Sequence, residues 1–227
     1  MNKTKTFEGK LFIVPTPIGN LKDITIRALE VLKTVDYILA EDTRNTIKVL
    51  KHYQIKKTLK SYHKFNEHNI NENIISDLRS GKNIALVSDA GTPGISDPGY
   101  LIIKKCIEEN INIECLPGPT ALIPALVISG FPADRFIFEG FLPHKKGRKK
   151  RLEEISKYDI TTILYESPHR LLKTLTELKQ YIDNKKICIC RELTKVYETI
   201  IRGNIEEVIN YFNNKPIKGE IVIVISK

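Results

Sequence analysis

The sequence predicts an α/β protein of two domains, and three observations carry that prediction. Short apolar runs at 11–14, 36–40, 83–87 and 111–116 alternate with segments of helical period, the pattern of a mostly parallel sheet covered by helices. The connections after these runs are rich in glycine, proline and short polar residues, the position where α/β folds place ligands. Beyond about residue 135 the order becomes β-α-β-β-α-β, which predicts a second domain built on a mixed sheet. A linker-like GFPAD at 130–134 divides the chain into domains 1–133 and 134–227.

The strand at 11–14 opens into PTPIGN at 15–20. Asp23 or Thr25 can cap the next helix, whose apolar positions Ile26, Leu29 and Leu32 recur at helical spacing. Neither GxGxxG nor a Walker lysine is present, so this βα unit is no dinucleotide or triphosphate signature. The second strand, 36–40, ends in EDTR at 41–44. Ionisable residues packed this closely at a strand end fit an active site, and equally a helix capped by Asp42 or Thr43. The segment 60–68 mixes cations, including Lys64, with aromatics and histidines. It suits either single-stranded nucleic acid or a solvated loop.

The strand at 83–87 leads into the most distinctive connection, SDAGTPGISDPG at 88–99. Glycines at 91, 94 and 99 and prolines at 93 and 98 stiffen it, beside Ser88, Asp89, Thr92, Ser96 and Asp97. Connections in such folds usually run about two to six residues, so a longer, braced loop points to a ligand. A second corner, PGPTA at 117–121, follows the strand at 111–116; Gly118 permits close backbone approach and Thr120 can cap the apolar helix after it. In the second domain a strand at 135–141 leads to HKKGRKKR at 144–151, six cations in eight residues, which suits contact with a phosphate backbone. A strand at 161–165 ends in ESPHR at 166–170, and strands at 186–190, 197–201 and 218–225 complete the domain.

Composition sets the class. Hydrophobic residues make up 41% and charged residues 28%, the balance of a soluble globular protein. The longest apolar run, 121–128, is interrupted by Pro124 and falls short of the ~20 residues that span a bilayer. The N-terminal MNKTK leads straight toward a strand without a signal-peptide core, which predicts a cytoplasmic protein. Four cysteines (Cys106, Cys115, Cys188 and Cys190) form no CxxC pair and are expected as buried free thiols with no metal. A net charge of +9 is compatible with a polyanionic partner, and the local clusters matter more than the sum.

Taken together, PTPIGNL (15–21), AEDTR (40–44), SDAGTPGISDPG (88–99), PGPTA (117–121), YESPHR (165–170) and KGEI (218–221) resemble the bacterial small-subunit ribosomal RNA methyltransferases of the tetrapyrrole methylase fold family. The resemblance runs from about residue 10 to the last strand. It implies S-adenosylmethionine as methyl donor in a cleft between two α/β domains, a homodimer, and as substrate the ribose 2′-hydroxyl of a cytidine in the decoding region of 16S rRNA within the 30S subunit. It places the donor against Ser88, Asp89, Gly91, Thr92, Ile95 and Ser96, with Pro117, Gly118, Thr120 and Ala121 as a second wall and Tyr165, Glu166 and Ser167 as a third. Many members continue into a further basic helical segment where this chain ends at Lys227, so RNA affinity is expected from loops already present: Lys64, Lys145, Lys146, Arg148, Lys149, Lys150 and Arg151.

A ribose hydroxyl is a poor nucleophile, so a base or cation is expected beside it. Asp42 and Arg44 are the candidates, with Glu41 and Glu166 behind them. Two rivals share the fold: a methylase of a small tetrapyrrole, which the 145–151 cations disfavour, and a ribosome-binding protein without turnover.

Overall fold

A computed structural model describes residues 9–182, 184–213 and 215–227. The chain forms two compact units, Met1–Thr120 and Ala121–Lys227. In the first, β1 (Lys10–Ile13), β2 (Tyr37–Ala40), β3 (Thr58–Ser61), β4 (Ile84–Val87) and β5 (Asn112–Cys115) make one sheet in the order β3-β2-β4-β1-β5. Every pair in it is parallel. Parallel strands need crossovers, which here carry α1 (Ile26–Thr34), α2 (Thr43–His52), α3 (Glu67–Arg79) and α4 (Tyr100–Glu108).

The apolar runs are continuous because both sheet faces are covered. On β4, Ile84 and Leu86 pack with Leu78 and Ile102 on one face, while Ala85 and Val87 pack with Leu32 and Leu50 on the other. Thr25 caps α1, its hydroxyl accepting from the Ala28 amide at 3.0 Å. β3 was not expected: its TLKS sequence is mostly exposed at the sheet edge and lacks an apolar run.

The second unit contains α5 (Leu122–Ser129), β6 (Phe136–Phe141), α6 (Arg148–Ser156), β7 (Thr161–Glu166), α7 (Leu171–Ile182), β8 (Lys186–Arg191), β9 (Thr199–Asn204), α8 (Ile205–Asn213) and β10 (Ile221–Ile225). Its sheet is ordered β6-β7-β10-β8-β9, with β6 and β7 parallel and the remaining pairs antiparallel. One face buries Leu164, Ile189 and Ile223 beneath α7 and α8. On β8, Cys188 and Cys190 are buried, and the Cys190 thiol approaches the Ala125 carbonyl of α5 at 4.0 Å.

The two units part at Thr120, before α5 rather than after it, whereas the linker-like composition pointed to 133. α5 packs on β8 and β10, and that contact is invisible in local composition. Cys115 also departs from expectation: it is exposed, because β5 lies at the sheet edge. Among the described residues no helix is long and apolar enough to cross a membrane.

Candidate active site

The register of the first sheet assembles the candidate site. Ala40 pairs with Val87, so the loops after β2 and β4 begin side by side. Asp89 then links them: its carboxylate accepts from the Asp42 amide at 3.1 Å and from Asn45 Nδ2 at 3.0 Å, and its own amide donates to Glu41 Oε2 at 3.3 Å. The loop after β1 is tied on from the other side. Thr16 and Gly91 exchange both backbone hydrogen bonds at 2.9 Å, and the buried Thr16 hydroxyl donates to the Ser88 carbonyl at 3.0 Å. Thr92 Oγ1 donates to the Pro119 carbonyl at 3.0 Å, holding the 88–99 loop to the corner after β5.

These ties fix the backbone in conformations that its sequence permits. Gly91 has φ +83°, in the left-handed region that side chains disfavour. Gly118 answers a different demand. A Cβ there would lie 2.7 Å from Pro15 Cβ, so its close approach is to the chain's own proline. Ser88 is buried beneath the loop, whereas Ile95, Pro117 and Gly118 stay exposed around it and Ser96 is half-buried. Thr120 does not cap α5; Ala121 occupies the cap position without a side-chain hydrogen bond, leaving the Thr120 hydroxyl outside the helix.

Four acidic side chains meet here in distinct electrostatic settings. Asp42 caps α2, accepting from the Arg44 amide at 2.8 Å, and grips the Arg44 guanidinium at 3.0 and 2.6 Å. The Arg44 contacts hold its carboxyl down to about 2, which makes it a weak base. The geometry therefore favours capping for Asp42. Burial raises Glu41; the Asp89 amide that donates to it opposes the rise, and the Asp89 charge adds to it. Burial also pushes Asp97 up to about 7, reinforced by the charge of Glu41, while a hydrogen bond with Ser88 and the Lys64 cation oppose the rise. The sequence placed Asp97 only among the polar residues of the 88–99 loop, without a role of its own. Its significance depends on β2 lying beside β4, which no local spacing reveals. Lys64 likewise faces carboxylates, exerting its charge on both Glu41 and Asp97.

The candidate residues of the second unit behave differently. The Tyr165 ring packs edge-on against Phe138 at 4.9 Å and Phe141 at 5.7 Å. Glu166 is buried and fully engaged, accepting from the Ser167 amide at 2.7 Å, Arg170 Nε at 2.8 Å and Thr174 Oγ1 at 2.5 Å. Among the described residues, the Ser167 amide and Arg170 share Oε1, whereas Oε2 accepts from Thr174 alone. Arg148 is 6% exposed and points inward, so it does not belong with the exposed Lys145, Lys146, Lys149 and Lys150. Arg151 is half-exposed and paired with Glu139 and Glu154.

The exposed surface of the 88–99 loop and the 117–120 corner fits a donor such as S-adenosylmethionine. Ile95 and Pro117 offer apolar surface to a purine, Ser96 and Thr120 offer hydroxyls to polar groups, and Glu41, Asp89 and Asp97 supply negative potential suited to a sulfonium.

Comparison with known proteins agrees with this architecture. The family model of Tetrapyrrole (Corrin/Porphyrin) Methylases matches residues 10–209. A protein of Hydrogenobaculum sp. named ribosomal RNA small subunit methyltransferase I is 52% identical, covering 96% of each chain. Its namesake from Thermotoga maritima is 48% identical over 96% of this chain and 98% of its own. Among solved structures, uroporphyrin-III C-methyl transferase from Thermus thermophilus complexed with S-adenosyl homocysteine superposes with a TM-score of 0.68 at 16% identity, covering 96% of this chain and 98% of that one. With a parallel sheet, a mixed sheet and a family match over most of its length, the chain belongs to the tetrapyrrole methylases, in the ribosomal RNA small subunit methyltransferase I family.

Proposed function

We infer that this protein uses S-adenosylmethionine to methylate small-subunit ribosomal RNA, at the ribose 2′-hydroxyl of a cytidine in the decoding region. The observation that supports this reading is the clasped 88–99 loop with Asp97 in it, in a chain about half identical to proteins named ribosomal RNA small subunit methyltransferase I. The donor-contact candidates in the first unit are Ser88, Asp89, Gly91, Thr92, Ile95, Ser96, Pro117, Gly118 and Thr120. Ala121, Tyr165, Glu166 and Ser167 are the candidates on the second. A homodimer acting on the 30S subunit in the cytoplasm is part of the same proposal.

S-adenosylmethionine supplies, when bound, an electrophilic methyl group on a positively charged sulfur. The protein's own task is then positioning and proton management. Clasped loops that hold reactants in line can account for roughly 7–11 kcal/mol of a barrier. Asp97 is the proposed general base: an ionised carboxylate with a pKa of about 7 can accept the hydroxyl proton near neutral pH. Glu41 raises the basicity of Asp97, and Lys64 limits that rise. Phosphate contacts come from Lys145, Lys146, Lys149, Lys150 and Arg151.

Transfer of a tritiated methyl group to 16S rRNA and 30S subunits, with a precorrin as competing acceptor, tests the reaction. Primer extension at low dNTP then locates the modified ribose. Label on the tetrapyrrole alone, or on a base instead of a ribose, would overturn this assignment.

A further inference from the structure

The cationic segment at 144–151 is held in place by a buried polar network. Arg148, at the start of α6, directs two of its guanidinium nitrogens to α7 and the third to the connection that precedes α6. Nε donates to Glu177 Oε2 at 2.7 Å, Nη1 to the Pro143 carbonyl at 3.1 Å, and Nη2 to Thr174 Oγ1 at 2.8 Å. Thr174 is wholly buried on α7, and its hydroxyl donates a hydrogen bond to Glu166 Oε2 at 2.5 Å. Glu166, at the end of β7, is also gripped by Arg170, whose Nη1 donates to the Leu142 carbonyl at 3.2 Å. Two arginines thus hold consecutive carbonyls, 142 and 143, of the connection that carries the lysines. Gly147 turns that connection into α6 at φ +82°.

We propose that Arg148, held by Thr174 and Glu177, is a positioning residue that presents Lys145, Lys146, Lys149 and Lys150 as one surface to the RNA phosphate backbone. The proposal rests on the rRNA reading above. It assigns to Arg148 a role opposite to that of its neighbours: its charge is spent inside the protein, and it never meets a phosphate. A lysine cannot replace it, because a single ammonium cannot span Glu177, Thr174 and a carbonyl in fixed planar directions. Loss of the brace would leave every lysine charge in place but remove their common geometry.

The test is salt-dependent binding to a transcribed 16S rRNA fragment, measured with the whole protein. Each phosphate contact contributes a slope of about 0.7–0.9 in log K against log salt. Arg148→Lys preserves net charge, so a direct phosphate contact at this position would leave slope and affinity near wild type. The positioning role predicts an affinity loss of about tenfold or more and a slope reduced by more than one contact. S-adenosylhomocysteine affinity, read by calorimetry, stays within about twofold, a readout that general misfolding would not spare. Thr174→Val, which removes the buried hydroxyl and no charge, is expected to shift the slope the same way, and Thr174→Ser to restore it. If Thr174→Val fails to fold, Arg148→Lys decides alone. Wild-type slope and affinity in folded Arg148→Lys would overturn the proposal. Absence of rRNA binding by the unsubstituted protein would instead overturn the function on which it rests.

Discussion

Replacing Asp97 by asparagine is predicted to make the protein less active and more stable. The substitution keeps the shape and removes the proton. In the fold, burial and then the Glu41 charge carry this carboxyl from 3.8 to about 7. Because its folded pKa lies above the unfolded one, its stabilising contribution is complete below about 3.8 and is lost as pH rises through about 7. At pH 8 the wild type therefore carries an ionised, partly desolvated carboxylate that the asparagine variant lacks. The difference between 3.8 and 7 converts to a ceiling of about 4 kcal/mol. Solvent at this half-buried loop screens the charge and reduces that to about 1–2 kcal/mol. For a chain of this size each kcal/mol moves the midpoint by about 2–4 °C. Thermal melts at pH 5 and pH 8 should show the variant ahead, and further ahead at pH 8. Catalysis should move the other way. Wild-type kcat should fall about tenfold for each pH step below 7 and level off above it, while the variant loses about 100-fold or more. Wild-type turnover in Asp97→Asn, or a flat rate between pH 5.5 and 8.5, would refute the assignment. An equal melting difference at both pH values would refute the burial argument.

Three further outcomes follow from the same geometry. Asp42→Ala removes a helix cap and the Arg44 grip, so the denaturant midpoint should fall. Methyl transfer should stay within about threefold, and a loss of 100-fold or more would return Asp42 to the catalytic role. Gly91→Ala forces a side chain onto φ +83° and should cost about 1–2 kcal/mol. Calorimetry should show S-adenosylhomocysteine binding at least about tenfold weaker; an unchanged Kd would mean that the loop does not touch the donor. Reversing charge at Lys145, Lys146, Lys149 and Lys150 should weaken rRNA binding most at low salt while sparing donor affinity. Equal loss of both would mean that the cluster serves the donor.

What the sequence made legible was local. The apolar runs at 11–14, 36–40 and 83–87 read as strands because β2 and β4 are buried on both faces and β1 on one face with the other half-buried, and the stiffened loop at 88–99 stood out by its composition. β3 was not legible, since an exposed edge strand needs no apolar run. The charge run at 144–151 was read by counting cations, and counting cannot separate Arg148, folded inward on Glu177, from Lys149, directed to solvent. The different settings of Asp42 and Asp97 were not legible in the sequence. A capped, paired carboxylate and a desolvated one look alike in a sequence, and only the adjacency of β2 and β4 distinguishes them.

The position of β10 has a consequence for biosynthesis. All five strands of the first sheet have been synthesised once Cys115 is made, so that unit can close while translation continues. The second sheet cannot, because the strand that joins β7 to β8 is also the final one, Ile221–Ile225. Until it arrives, the nascent chain holds two separate ribbons whose facing edges both offer unsatisfied amides and carbonyls. Slow decoding or early release before that strand would therefore expose a sticky half-sheet.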